Sequence, residues 1–115
     1  MLQYNKTNDP TEKIALHTMQ GITFVNPVEV IRCKAQGAYT TIYLQGRQLV
    51  ISRNIKQVEE QFSRFGFLRV HKSHLINLAH ITHYIRGNGG IAVLSDGSEV
   101  EISRRQRENF LKAIT

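Results

Sequence analysis

Hydrophobic and polar positions alternate with a period of two along most of the chain, as in β-strands that bury one face. Runs rich in β-branched and aromatic residues are separated by short turns containing Gly, Asn or Asp, which is typical of antiparallel hairpins. Gly37 and Gly46 mark the turns within one three-strand stretch, for which we expect a meander. The predicted strands cover residues 14–18, 22–25, 28–34, 39–44, 48–51, 67–70, 75–78, 81–85, 91–94 and 99–102.

Two segments follow helical spacing instead. A short amphipathic helix is predicted near the middle of the chain, with Ser52 or Asn54 as its N-cap and Gly66 as its end. Its regularly spaced positions are Ile55, Val58, Glu59 and Phe62. A second helix is predicted over residues 104–114, with Ser103 as its N-cap. The chain is therefore predicted to be mainly β, with one short central helix and one C-terminal helix.

The composition indicates one globular domain. The chain has 115 residues, of which 41% are hydrophobic and 21% charged, and this is about the length of one domain. Residues 1–13 are polar and aperiodic, so we expect a linker or terminal tail followed by a domain over residues 14–115. Cys33 is the only cysteine, which excludes an intrachain disulfide and favours a reducing compartment. Because no apolar run approaches the ~18 residues that span a bilayer, and no signal peptide is apparent, we expect a cytoplasmic protein.

The chain is markedly basic. Fifteen Lys and Arg against nine Asp and Glu give a formal net charge of +6, which favours an anionic partner, with nucleic acid as the first candidate. Between Glu29 and Asp96 the only acidic residues are Glu59 and Glu60, whereas the same stretch carries nine Lys and Arg. A chance fluctuation of composition in a short chain is the alternative interpretation.

The residues that could support catalysis or bind metal do not assemble into a site in this sequence. Four histidines, at positions 71, 74, 80 and 83, have HxxH spacing, but residues three apart on a continuous strand point to opposite faces, so we expect no metal site. Cys33 lies in an apolar stretch and is expected in the core. The chain has neither a nucleophile elbow nor a phosphate-binding loop. We therefore expect no enzymatic activity and no cofactor.

Two basic, polar clusters remain as candidate binding residues. The first covers residues 69–74 and the second opens the last predicted helix at residues 103–107. Arg and Lys bind phosphates, Ser and His donate hydrogen bonds, and any of them can reach base edges. Arginines at a helix N-terminus interact unfavourably with the positive end of the helix dipole, and a bound phosphate would compensate for this cost. The alternative is that they form ion pairs with Glu99, Glu101 and Glu108.

The segment Phe67-Leu68-Arg69-Val70-His71-Lys72-Ser73-His74-Leu75-Ile76-Asn77 resembles the most recognisable segment of LytTR-type DNA-binding domains. Residues 35–40 and 100–105 agree with the same family in order and spacing, and the resemblance runs from about residue 26 to residue 114. The resemblance implies an elongated stack of small antiparallel β-sheets. It also implies the output domain of a bacterial response regulator, which grips DNA with loops and usually binds direct repeats as two copies.

The resemblance also implies residue roles. Tyr39, the loop with His71 and Lys72, and Arg105 match positions that reach bases, whereas Ser73 and Ser103 match positions near phosphates. The sequence differs at Ala38, where a polar or longer side chain is common, so Tyr39 or Gln36 is expected to carry that contact. Asn77 is expected to cap the turn after the motif. The expected DNA-binding residues are Tyr39, Arg69, His71, Lys72, Ser73, Ser103, Arg104 and Arg105.

The function predicted from the sequence is specific binding of double-stranded DNA. A basic protein-interaction module that docks an acidic partner is the alternative, and RNA binding is third because no strand has the aromatic stacking pattern of common RNA modules. The 115 residues contain no receiver domain, so we expect a receiver or sensor domain on a missing N-terminal part. Since no dimerisation helix is apparent, we expect the isolated domain to be a monomer.

Overall fold

Three small antiparallel sheets and two helices form the part of the chain that the structure, a computed structural model, describes, residues 12–115. The strands are β1 Ile14–Thr18, β2 Gly21–Val25, β3 Val30–Gln36, β4 Tyr39–Leu44, β5 Arg47–Ile51, β6 Phe67–His71, β7 His74–Asn77, β8 Ile81–Ile85, β9 Ile91–Leu94 and β10 Glu99–Glu101. The helices are α1 Ile55–Phe62 and α2 Arg107–Ile114. The mainly β prediction with a central and a C-terminal helix is confirmed. Of the predicted tail, residues 1–13, only Glu12 and Lys13 lie within the described residues.

The largest sheet has five strands in the order β5-β4-β3-β7-β6. The predicted meander β3-β4-β5 is present, and the hairpin β6-β7 adds to its β3 edge with Lys34 opposite His74. The third predicted strand begins two residues later than expected. Pro27–Glu29 forms a 3₁₀ turn there, because the Asn26 side chain caps it and Pro27 occupies its first position.

The two smaller sheets are local hairpins. β1 pairs with β2, with Ile14 opposite Val25, and β8, β9 and β10 form a three-stranded sheet. The β8–β9 and β9–β10 connections contain glycines, as predicted, and Gly21 directly follows the β1–β2 turn as the first residue of β2. In the β8–β9 loop Asn88 adopts a positive φ of 48°, a conformation that asparagine tolerates better than most residues.

Two hydrophobic clusters hold these layers together. The first packs α1, through Val58 and Phe62, and the β1-β2 hairpin against one side of the large sheet. The second joins β6 and β7 to the three-stranded sheet and to α2, which contributes the fully buried Phe110. The extents of 41 × 31 × 24 Å agree with the predicted elongated stack. Cys33 lies in the first cluster, and its burial raises the pKa of the thiol far above its usual range.

Asn54, rather than Ser52, is the N-cap of α1. Its Oδ1 accepts from the Gln57 backbone N–H at 2.9 Å, and Gln57 Oε1 accepts from the Asn54 N–H at 2.9 Å. This reciprocal capping box satisfies two backbone donors at the helix start. After α1 a 3₁₀ turn, Ser63–Phe65, leads to Gly66, which ends it with a φ of 85° as predicted. None of the helices between residues 12 and 115 is long and apolar enough to cross a membrane.

Candidate nucleic-acid interface

Three loops meet at one end of the five-stranded sheet, which we call the loop end. They are the β3–β4 turn at Gly37 and Ala38, the β6–β7 turn at Lys72 and Ser73, and the segment that starts at Ser103. The Ala35 N–H donates to the Ser73 carbonyl at 2.9 Å, and the Ser103 N–H donates to the Val70 carbonyl at 2.9 Å. These backbone bonds bring together segments that are far apart in the sequence.

The β6–β7 turn presents His71 and Lys72 outward from a buried anchor. Val70 is fully buried, as its predicted inward orientation requires, and Lys72 is exposed. The Ser73 backbone N–H donates to His71 Nδ1 at 3.1 Å. Because Nδ1 accepts, the neutral ring carries its proton on Nε2, which is then a hydrogen-bond donor.

Arg69 directs its guanidinium into the protein. Nη1 donates to Glu59 Oε1 at 2.9 Å, Nε donates to the His71 carbonyl at 3.0 Å, and Nη2 donates to the Lys72 carbonyl at 2.5 Å. Its side chain is 23% exposed. The Arg69 guanidinium is therefore bonded within the domain, unlike that of a surface cation, although Arg69 belongs to the basic cluster of residues 69–74.

The C-terminal helical segment starts as predicted at Ser103, whose Oγ accepts from the Gln106 N–H at 3.2 Å. Its first turn, Arg104–Gln106, is a 3₁₀ turn that continues into α2. Arg104, Arg105 and Arg107 are exposed. Among residues 12–115 no carboxylate forms an ion pair with them, so the alternative pairing with Glu99, Glu101 or Glu108 is not found.

Two open cavities flank the contact between the β6–β7 turn and Ser103. One, of about 510 Å³, lies toward the β8–β9 loop, and the other, of about 500 Å³, lies toward α1 and α2. His71 and Ser103 line both cavities, Arg104 lines the first, and Arg105 lines the second. The second cavity is also lined by Arg69 and Lys72. The second cavity thus brings together residues of both predicted basic clusters, whereas Glu99 and Glu101 add carboxylates to the lining of the first.

Tyr39 stands apart from this surface. It is 44% exposed at the start of β4, opposite Gln36. Thr41, Lys34 and His74 lie in one row across the sheet, so Tyr39 is two residues, about 7 Å, further along than that row. It shares the loop end with the β6–β7 turn, but neither cavity includes it.

Three polar residues outside the expected DNA-binding set line these cavities, although Gln106 belongs to the second basic, polar cluster of residues 103–107. Gln106 and Asn109 line the second cavity, and Asn88 lines the first. Asparagine and glutamine side chains are suited to bidentate hydrogen bonds with adenine. Asn109 follows Arg105 by four residues, and this spacing places two side chains on one helix face. That periodicity is the signal that could have identified Asn109.

The expectation that His71 and His74 point to opposite faces was wrong. His71 and His74 lie opposite each other across the β6-β7 hairpin, with ring centroids 5.1 Å apart, because a two-residue turn reverses the chain between them. His80 is engaged elsewhere, with the Ser95 hydroxyl and the Val28 carbonyl. No group of three or more metal-binding side chains lies close enough within residues 12–115 to hold an ion.

His74 lies under the turn in an environment that disfavours its charged form. Burial, followed by electrostatic interaction with His71, Arg32 and Lys34, lowers its pKa from 6.5 to about 4. Its Nδ1 is buried and has no hydrogen-bond partner among the described residues. His74 is therefore neutral at physiological pH and supports the turn as a packing residue.

Comparison with known proteins agrees with this architecture. The family model of the LytTr DNA-binding domain matches residues 20–115. The domain family binds DNA and is not an enzyme family. The LytTr DNA-binding domain of a protein described as a methyl-accepting/DNA response regulator from Bacillus cereus superposes with a TM-score of 0.77 at 19% identity, covering 90% of this chain and 97% of that one.

Two curated relatives are transcriptional regulators. The CO-responsive transcriptional regulator RcoM of Rhodospirillum rubrum is 29% identical over 97 residues, which is 82% of this chain and 41% of the relative. The heme-containing CO-sensing transcriptional regulator RcoM 2 of Paraburkholderia xenovorans is 22% identical over 95 residues, which is 80% of this chain and 36% of the relative. The chain thus spans well under half the length of these relatives. With the family model matching most of the chain, this protein belongs to the LytTR family of DNA-binding domains.

Proposed function

We propose that this domain binds a specific double-stranded DNA sequence as the output domain of a bacterial transcription regulator. The observation that carries the proposal is the exposed pair of guanidinium groups of Arg104 and Arg105, with which no carboxylate forms an ion pair among residues 12–115. These residues lie next to Lys72 and His71 on one surface. A surface with several unpaired cations is suited to a polyanion, and its fork-shaped guanidinium groups are suited to base edges.

The proposal divides the loop-end residues into two roles. Arg105 reads guanine O6 and N7, with the Asn109 amide beside it as a second base reader. His71 donates from Nε2 to a base or phosphate acceptor. Lys72 and Arg104 bind phosphates as charges, and the hydroxyl groups of Ser73 and Ser103 supply further hydrogen bonds.

Tyr39 is assigned a contact at the margin of the site. Its exposed ring at the β3–β4 turn would meet DNA beyond the base pairs that the other loops contact. Ala38, at the tip of the same turn, offers only a methyl group, which suits a thymine methyl. We therefore expect weak base preference at this margin.

The decisive experiment is selection from a random duplex library, followed by titration of the selected and scrambled duplexes at several salt concentrations. The proposal expects one enriched motif and a log–log salt slope of several units, because each phosphate contact releases about one counterion. A flat salt response would favour the alternative, a basic module that docks an acidic protein. Equal binding of selected and scrambled duplexes would exclude sequence-specific readout.

The curated relatives also support an arrangement with a second domain. Because the chain matches only 36–41% of these CO-sensing or CO-responsive regulators, we propose that a receiver or sensor domain supplies the signal. We also propose, from the family resemblance, that two copies bind direct repeats. The isolated domain is expected to be monomeric at micromolar concentration. Light scattering tests this expectation, and a stable dimer would contradict it.

A further inference from the structure

Arg69 connects α1 to the backbone of the β6–β7 turn. Its guanidinium bonds the Glu59 carboxylate on α1 and the carbonyls of His71 and Lys72, using three of its five N–H donors. The two carbonyls belong to the residues whose side chains point outward at the loop end. One side chain thereby holds the turn on its inner side while His71 and Lys72 remain available on its outer side.

The turn needs such support because its strand pairing is irregular. The β6–β7 register shifts between Arg69 and His71, and an irregular ladder leaves backbone groups without strand partners. The bond to the His71 carbonyl is half-buried, where a carbonyl without a donor is unfavourable, whereas the bond to the Lys72 carbonyl is exposed. The Arg69 fork satisfies two carbonyls at once, and the Glu59 carboxylate fixes the fork in that orientation through a charge-assisted bond.

We propose that Arg69 and Glu59 form a clamp that presets the β6–β7 turn for DNA, so that Arg69 is a positioning residue and not a phosphate contact. The inference rests on the proposed DNA-binding function. It reassigns Arg69, which the sequence motif groups with the DNA-binding residues. It also gives Glu59 a role in DNA binding, although an acidic side chain by itself repels phosphates.

Glu59 and its neighbour Glu60 make this inference testable. For Glu59→Gln, charge repulsion alone and the clamp predict opposite changes in DNA affinity. Removing an acidic charge near a DNA-binding surface strengthens binding if repulsion is its only effect. Glu60 is exposed and has no ion-pair partner among residues 12–115, so Glu60→Gln is the matched control. The clamp predicts the opposite result for Glu59→Gln.

The experiment titrates Glu59→Gln, Glu60→Gln and Arg69→Met with selected and scrambled duplexes. We expect Glu60→Gln to bind both duplexes as tightly as the wild type or more tightly. Glu59→Gln should lose about tenfold on the selected duplex, equivalent to about 1.4 kcal/mol, and little on the scrambled one. Arg69→Met should lose a similar factor or more without reducing the salt slope, and adding Glu59→Gln to it should change nothing further.

Amide hydrogen exchange without DNA tests the clamp independently of function. Glu59→Gln and Arg69→Met should speed the exchange of the Ser73 and Ala35 amides, which bond to His71 Nδ1 and to the Ser73 carbonyl, and Glu60→Gln should not. Tighter DNA binding by Glu59→Gln, or a salt slope about one unit lower in Arg69→Met, would overturn the clamp. Unchanged exchange would also overturn it. Failure of the wild type to prefer any duplex would instead refute the proposed function and leave the exchange result to decide the clamp.

Discussion

The β6–β7 turn and the start of the C-terminal helical segment are both basic, yet their arginines are used differently. Arg69 in the first region has three bonds to partners within the domain. Arg105 in the second is exposed and has no carboxylate partner among residues 12–115. The local backbone explains the difference. A turn leaves carbonyl acceptors beside Arg69, whereas a helix start leaves N–H donors beside Arg105, so only Arg69 finds acceptors within the fold.

A basic cluster in a sequence does not by itself distinguish structural cations from cations that bind a ligand. The deciding factor is whether an acceptor lies nearby in the folded chain. At the helix start the Ser103 hydroxyl accepts from the Gln106 N–H, whereas the exposed guanidinium groups of Arg104 and Arg105 form no ion pair among residues 12–115. These guanidinium groups are therefore available to an external acceptor such as a phosphate or a base. The following predictions test this division of roles.

Phe110→Ala should have the largest effect, because it removes the anchor of the helical segment. The ring is fully buried in the second hydrophobic cluster, and Phe-to-Ala changes in cores cost about 3–5 kcal/mol. Urea unfolding measures the loss, with the exposed Lys112→Ala as the control. A loss below about 1 kcal/mol would mean that α2 does not depend on this contact.

Arg105→Ala should weaken binding to the selected duplex by about 1–3 kcal/mol, because a bidentate contact with guanine contributes that much discrimination. Binding to random DNA should hardly change. Arg107→Ala is the matched control, because Arg107 is exposed on the same segment but lines neither cavity. Binding titrations on both duplexes decide the matter. Equal losses on the two duplexes would make Arg105 a phosphate contact.

Ser103→Ala should lower the free energy of unfolding by about 1 kcal/mol, since it removes the hydroxyl that caps the Gln106 N–H. Ser103→Thr keeps a capping oxygen and should unfold close to the wild type. Chemical denaturation compares the three proteins. If the Ala and Thr variants are equally stable, the cap contributes little to the segment.

Lys72→Ala should reduce affinity by a similar factor on every sequence and lower the salt slope by about one unit. The physical reason is that an exposed ammonium group at the tip of the turn acts on the phosphate charge and not on base identity. Titrations at several salt concentrations measure both quantities. A loss confined to the selected duplex would identify Lys72 as a base reader.

The pH dependence of stability should carry a smaller contribution from His74. Its pKa of about 4 in the fold lies below the ordinary 6.5, so the unfolded chain binds the proton more readily. The contribution of His74 to the free energy of unfolding is therefore fully present above about pH 6.5, and it is lost as the pH falls toward 4. Urea unfolding from pH 7 to pH 4.5 should show a shallower decline for His74→Gln than for the wild type, and parallel curves would contradict the lowered pKa.

Local pattern was sufficient to predict the secondary structure and several single-residue roles. Strand alternation, the glycine turns and the Ser103 cap depend on neighbouring residues, so they can be identified without the fold. Asn77, expected to cap the turn after the motif, accepts from the Ala79 N–H at 3.0 Å. It also donates to the Val30 carbonyl at 2.9 Å, a contact across 47 residues that local pattern does not indicate.

The sequence alone sufficed to identify the LytTR family and the two basic clusters, because both are properties of short ordered motifs. Only the folded chain paired β3 with β7, placed His71 opposite His74 and separated Arg69 from Arg105. Strand pairing over long separations is decided by which apolar faces are buried together, and the availability of a charged group is decided by the acceptors that the fold brings beside it. Neither the strand pairing nor the availability of a charged group can be predicted from the spacing of residues along the chain.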